Sequence, residues 1–340
     1  MRLVKFIKRL LVVSAIRRLT LHLTRGIPRV IMYHRFCDGR AMNRMSKETF
    51  EWQIGVIRKD FRVTSLAGLL DPLTKGGSGE APVVITIDDA YMDFYDIAFP
   101  LLIKNGMTAT LFVSTGFVDF KRWFWWDALR FVLAERKGER KTYCHNERAF
   151  CIDTGTEIDT DRTWNLLADY CLGTHDSERS RFIGEFASFM GVSLPAAPLP
   201  EYDQMGWDHI MEVSRNGVEI GSHTVNHAIM TSLGNDEKKE ELELSKDIIE
   251  KRLGEKVRTF SYPNGKRRDY DRKTMDLLRR LGYIGAVVSH EGIYFSGEPY
   301  AIPRYSVSDD RVDFYWKLYG MDCLVKKIAG LFGRSAKAAQ

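Results

Sequence analysis

The sequence predicts an α/β fold: a parallel sheet covered by helices on both faces, doubly wound or closed into a barrel. Three observations carry that expectation. Short apolar or β-branched runs recur along the chain, amphipathic stretches of helical period alternate with them, and reactive residue types collect at the carboxyl ends of the runs. With 340 residues, 44% hydrophobic and 28% charged, the chain can bury one large core or two ordinary ones, as a soluble globular protein does.

Strands are expected at 29–33 (RVIMY), 61–66 (FRVTSL), 83–87 (VVITI), 108–114 (TATLFVS), 217–222 (GVEIGS), 257–262 (VRTFSY), 283–289 (YIGAVVS) and 301–306 (AIPRYS). Helices are expected over 46–59, opened by a Ser46 cap, and over 94–105, 235–253 and 271–281. The last three stop at Gly106, Gly254 and Gly282, residues able to take the left-handed cap conformation. From about 119 to 205 no strand is expected. That polar segment runs from the aromatic RWFWWD (122–127) to the proline-rich LPAAPLPEY (194–202) and reads as a helical insertion. No internal repeat or low-complexity tract interrupts the chain.

The net charge of +5 belongs to the two ends. Residues 1–29 hold eight basic residues and no acid, and four more follow Asp322, again without an acid. The rest sets 38 basic residues against 45 acids, so no body-wide basic surface exists and nucleic acid is not an expected partner. On a helix, Leu3, Val4, Ile7, Leu10 and Leu11 share one face while Arg2, Lys5, Lys8 and Arg9 share the other. Leu324, Val325, Ile328, Leu331 and Phe332, with Lys326 and Lys327, repeat the pattern more weakly. Each end fits either a helix in an anionic membrane interface or a terminal helix packed on the domain with a solvated basic face. The expected organisation is a basic amphipathic segment over 1–26, a catalytic domain over 27–320 with its insertion, and a basic tail over 321–340. No run is long enough to span a bilayer, and Arg17 and Arg18 stand where a signal peptide needs its cleavage site. Five cysteines without a CxxC pair point to a reducing compartment, with Cys144, Cys151 and Cys171 as packing residues.

Chemistry gathers after the strands. His34 follows VIMY, Asp88 and Asp89 follow VVITI, and His223 and His227 belong to GSHTVNH. Pro263-Asn264-Gly265 form a turn after RTFSY, His290 follows GAVVS, and Arg304 lies within the last strand. Histidines four apart on one helical turn face the same way and suit a divalent metal, with a carboxylate as third ligand. One acid of the Asp88–Asp89 pair could then hold the metal and the other act as general base, the cation relieving their repulsion. A helix N-terminus would also favour two acids together, as would the acidic pocket of a receiver domain, which is too short for 340 residues and needs no histidines. The SYPNG turn could present a backbone N–H to a developing oxyanion, and His34 or His290 could serve as general acid.

In this order TIDDAY, GSHTVNH and SYPNG resemble the first three motifs of the polysaccharide deacetylases, the NodB-type carbohydrate esterase family 4. The resemblance spans about residues 27–306. The stretches IMYHR, ETFEWQIGVIRKDFRVTSL and MTATLFVSTGFV are similar to the subgroup acting in bacterial exopolysaccharide and surface-glycan pathways. It implies a distorted (β/α) barrel with a helical insertion, and metal-dependent removal of acetyl groups from N-acetylated sugars. Position by position it implies Asp88 as general base, and Asp89, His223 and His227 as ligands of Zn2+ or another divalent transition metal. It implies the Asn264 backbone N–H for the oxyanion and favours His34 over His290 as general acid. The sequence departs from the family at Ile87, usually phenylalanine, at Ala90, usually glycine, and at Ser261, usually the arginine that orients the base. Arg304 could replace that arginine in space.

The expected substrate is therefore an N-acetylated glycan or glycolipid, met at or near the cytoplasmic face of the membrane through the basic ends. Two other readings stay open: hydrolysis of a small non-sugar amide, and a non-catalytic glycan-binding relic. The aromatic cluster at 123–126 suits stacking on sugar rings or, equally, the core of the insertion.

Overall fold

The computed structural model describes residues 14–325 apart from 40, 42, 72–80, 121, 293 and 295–296. The amphipathic pattern over 3–11, and the tail beyond Val325, therefore lie outside the described residues. In chain order the strands are β1 (Arg29–Tyr33), β2 (Phe36–Cys37), β3 (Met45–Ser46), β4 (Arg62–Thr64), β5 (Pro82–Ile87), β6 (Thr110–Val113), β7 (Arg140–His145), β8 (Arg148–Asp153), β9 (Glu219–Ser222), β10 (Thr259–Ser261), β11 (Gly285–Val288), β12 (Ile302–Pro303) and β13 (Tyr305–Ser306).

Strands β12, β11, β10, β9, β6, β5, β1 and β13 are neighbours in that order, every pair parallel. β4 adds to the first half of β5, Val63 opposite Val83, while β6 pairs with its second half, Ile87 opposite Leu111. The two ends of this path belong to a single extended segment. Ile302 and Pro303 pair with β11, and Tyr305 and Ser306 pair with β1. The run expected as one strand over 301–306 is thus two, because its pairing changes sides at Arg304. That change brings the sheet round into a nearly closed parallel barrel with flanking helices, the NodB-type (β/α) barrel.

Burial follows from this closure. Every residue of β1, β6 and β11 is buried, as parallel strands covered on both faces require. Val30, Leu66, Val84, Phe112, Val287 and Ile302 pack into one cluster. Gly221 is part of the fit: a β-carbon there would lie 2.5 Å from the Phe112 ring and 2.9 Å from Thr259 Oγ1. The Lys47–Asp60 helix opens on Ser46, whose Oγ accepts from Thr49 N at 3.1 Å, and the Asn235–Leu253 helix closes on Gly254 at φ 73°. The helix expected over 94–105 is instead a π-turn, Phe94–Ala98, running into an α-helix, Phe99–Lys104. Pro100 explains the difference, since its ring has no N–H for residue 96 and clashes with that carbonyl, so the turn widens there.

Residues 116–204 form a compact unit of their own. Its helices Trp125–Ala134, Glu157–Leu172 and Asp176–Phe189 share a core with Leu129, Val132, Tyr143, Phe150, Phe182 and Phe186. The expectation of no strand in this segment is corrected by the antiparallel hairpin β7–β8. Tyr143, His145, Phe150 and Ile152 point inward with period two, and Asn146 and Glu147 make the turn at φ 46° and 62°. Glutamate where such turns favour glycine, together with the polar outer face, hides the pattern in the sequence. Cys144 and Cys151 belong to that outer face and are exposed, so of the three cysteines expected to pack only Cys171 does. The aromatic cluster is also resolved: Phe124 is fully buried, and Trp123 and Trp125 pack against the unit's core.

A Gly221→Ala substitution must push Phe112 or Thr259 aside. Urea denaturation is expected to show a loss of about 1–3 kcal/mol with the m-value unchanged.

Candidate metal centre and catalytic site

β5 delivers the acid pair. Beyond Ile87 the backbone turns left-handed twice, at Asp89 (φ 74°) and Ala90 (φ 53°), and Asp88 N–H donates to the Tyr33 carbonyl at 3.1 Å. The reversal lets adjacent carboxylates serve different neighbours: Asp88 meets Arg304, and Asp89 meets His223 and His227. Ala90 is fully buried in a conformation that costs an ordinary residue about 1 kcal/mol, which accounts for the glycine usual at this position.

The two histidines converge without a helix. GSHTVNH leaves β9 as an irregular loop in which Thr224 and His227 hold φ of 67° and 52°. The expected helical turn is therefore absent, and the loop's backbone brings the rings together at a centroid separation of 4.8 Å. Polar contacts hold that loop in place. Ser114 Oγ donates to the His223 carbonyl at 2.9 Å, and Ala228 N–H donates to Thr224 Oγ1 at 3.1 Å. Glu241, from the Asn235–Leu253 helix, accepts from the N–H groups of Val225 (2.8 Å) and Asn226 (2.9 Å) and from the Asn226 side chain (2.6 Å). Sequence reading missed Glu241, because one acid in an acid-rich helix carries no signal until the loop above it is seen.

His223 is buried, and its Nδ1 lies 2.7 Å from the Ser261 carbonyl. Burial pulls its pKa down to about 4, against the attraction of Asp88 and the hydrogen bond to Ser261. The neutral ring thus donates from Nδ1 and turns the Nε2 lone pair toward Asp89 Oδ1, 3.5 Å away. His227 Nε2 lies 3.5 Å from the same oxygen. The three ligand atoms lie within 4.8 Å of one another. Tetrahedral bonds of 2.0–2.1 Å would set neighbouring ligand atoms about 3.4 Å apart, so the donor set fits a divalent cation. The hydrogen bond from His223 to Ser261 is the kind of outer contact that fixes a ligand's tautomer.

Asp88 is 2% exposed and forked by Arg304, with Nη1–Oδ1 and Nη2–Oδ2 both 2.7 Å. Burial alone would raise its pKa, but the guanidinium, with His223 and His34 adding to it, holds the carboxyl well below the usual range. Arg304 also donates to Thr86 Oγ1, Ser261 Oγ and the Val288 carbonyl, at 3.1, 3.1 and 3.2 Å. Ser261 Oγ in turn sits 3.3 Å from Asp88 Oδ2. Arginine and serine thus stand together around the carboxylate at the position where the family usually has an arginine in place of Ser261.

His34 Nε2 lies 3.8 Å from Asp88 Oδ2, with the side chain 45% exposed. Desolvation disfavours its charged form, as do Arg304 and Arg35, while Asp88 favours it. His290 is engaged elsewhere, its Nε2 3.0 Å from the Tyr270 hydroxyl. Asn264 holds φ 58° in the turn after β10, its side chain donating to Asp269 and its carbonyl accepting from Ser289 Oγ. Among the described residues no acceptor takes the Asn264 N–H.

Residues 182–286 match the family model of the polysaccharide deacetylases. That match takes in less than a third of the chain, which is to this extent similar to the family. That family hydrolyses N-acetyl amide bonds in glycans, and this chain is 21% identical over 283 residues to YxkH of Bacillus subtilis, provisionally named a polysaccharide deacetylase; the alignment covers 82% of this chain and 71% of that one. Its fold is similar to that of the Streptococcus pyogenes deacetylase PplD (18% identity, TM-score 0.55, 84% of this chain and 95% of that one). It is equally similar to IcaB from Ammonifex degensii (18% identity, TM-score 0.55, 86% and 97%).

Two substitutions test the geometry. Arg304→Met leaves Asp88 buried without its partner, and denaturant titration is expected to show a loss of about 3–5 kcal/mol. Glu241→Ala frees the histidine loop, and competition against a chelator is expected to show zinc held about ten- to a hundredfold more weakly.

Proposed function

We propose that this deacetylase removes the acetyl group from an N-acetylated sugar of a bacterial surface glycan, oligosaccharide or lipid-linked sugar. A divalent transition metal, zinc in the first instance, would be held by Asp89, His223 and His227. The convergence of these three ligand atoms beside a carboxylate locked by Arg304 is the observation that carries the reading. When bound, the cation supplies a Lewis acid that polarises the acetamide carbonyl and acidifies a water.

Each residue of the chain then has a task. Asp88, kept ionised and aimed by Arg304 and Ser261, takes a proton from the water that adds to the carbonyl carbon. The Asn264 N–H faces the oxygen on which negative charge grows. His34, exposed on one side and within 4 Å of Asp88 on the other, delivers a proton to the amine as the C–N bond breaks. The products are acetate and the free amino sugar. The non-catalytic relic rests on Ala90 and Ser261, and at Ser261 the fork of Arg304 supplies charge to the same carboxylate.

Acetate release from N-acetylglucosamine oligosaccharides, or from lipid-linked N-acetylated sugars, is the measurement. Asp88→Asn is expected to lose at least about a hundredfold in kcat while still binding zinc. Full activity in that variant would remove the base assignment. His34→Gln is expected to lower kcat, with His290→Gln near wild type; the reverse order would move the general acid to the later strand. Chelation is expected to abolish turnover and added zinc to restore it.

A further inference from the structure

The helix Ser14–Thr24 is turned inside out. Helical period places Ala15, Arg18, Leu19, His22 and Leu23 on one face, and that face is exposed, Leu19 at 59% and Leu23 at 53%. On the packed side Thr20 and Thr24 are 2% and 1% exposed, with Ile16 and Leu21 half-buried. Their hydroxyls donate back to the Ile16 and Thr20 carbonyls, which lets the two threonines be buried. An amphipathic helix that packs for its own domain's sake does the opposite and buries its leucines.

The rest of that pole is anchored and basic. Arg29 donates to the Leu318 carbonyl at 3.0 Å, and the Arg17 guanidinium lies 4.0 Å over the Tyr315 ring. These contacts join the Ser14–Thr24 helix and Arg29 to residues 315–319, and Val325, further along, is 51% exposed. Two acids lie nearby, Asp60 accepting from the Tyr319 hydroxyl and Asp322 from that of Tyr305. Exposed Arg18 and Arg25 remain, in a stretch of 29 residues with eight basic residues and no acid.

We propose that this face docks on an anionic lipid bilayer, Leu19 and Leu23 entering the interface while Arg18 and Arg25 meet the headgroup charge. Leucines exposed on a helix whose only formal charges are positive match such a surface in both polarity and charge. No described helix is long and apolar enough to cross a membrane. The face lies beside the amino end of β1, with the candidate site at the carboxyl end of the same strands, about 16 Å along.

Co-sedimentation of the full chain with vesicles tests this. Binding is expected to phosphatidylcholine vesicles containing about a quarter phosphatidylglycerol, to weaken with added salt, and to be poor for phosphatidylcholine alone. Leu19→Glu with Leu23→Glu is expected to reduce binding about tenfold or more, and Arg18→Glu less. Neither should change the far-UV circular dichroism or any acetate release from a soluble oligosaccharide, which keeps the result separate from the catalytic reading. Equal binding to neutral vesicles, or binding unchanged in the double variant, overturns the proposal. So does a wild-type dimer in light scattering that the double variant dissociates, since the face would then belong to a second copy.

Discussion

The fork between Arg304 and Asp88 joins the fold to the site. Arg304 is the residue at which the last segment leaves β11 and takes up β1, so it sits where the barrel closes. Its guanidinium reaches across the interior to the carboxylate at the end of β5, touching Thr86, Ser261 and the Val288 carbonyl on the way. Two fully buried charges at 2.7 Å would be a poor stabiliser if their remaining donors and acceptors were unmatched. Here almost every one has a partner, so closure of the sheet and ionisation of Asp88 support each other.

That pair also sets the electrostatics of its neighbours. A guanidinium that neutralises Asp88 leaves Asp89, its neighbour in sequence, as the carboxylate beside His223 and His227. Two left-handed residues, Asp89 and Ala90, make the separation possible by sending neighbouring side chains to different partners. His223 completes the arrangement: burial keeps it neutral, the Ser261 carbonyl takes its Nδ1 proton, and Nε2 is left as a donor atom. Ser261 therefore serves both halves, its hydroxyl bridging Asp88 and Arg304 and its carbonyl fixing the histidine.

Most strands were legible because a parallel barrel buries both faces of each, leaving apolar runs bounded by glycine, proline and polar turns. What escaped was conformation set by context. The β7–β8 hairpin carries its alternation among polar outward residues and turns on Asn-Glu. The π-turn at Phe94–Ala98 depends on how Pro100 is accommodated, and the histidine spacing that suggested a helix belongs to a loop strapped by Glu241.

From the sequence alone came the alternation of strand and helix, the residue types at the strand ends, and the confinement of basic charge to the chain's two ends. Each is a local or compositional property, written in short windows that hydrophobic period and residue chemistry can read. Tertiary structure alone decided that Arg304 answers Asp88 across 216 positions, that Glu241 fixes the loop of His223 and His227, and that the Ser14–Thr24 helix turns Leu19 and Leu23 outward. Those choices depend on which distant groups meet once the barrel closes. A buried charge takes the partner that geometry brings within reach, and sequence distance places no limit on that.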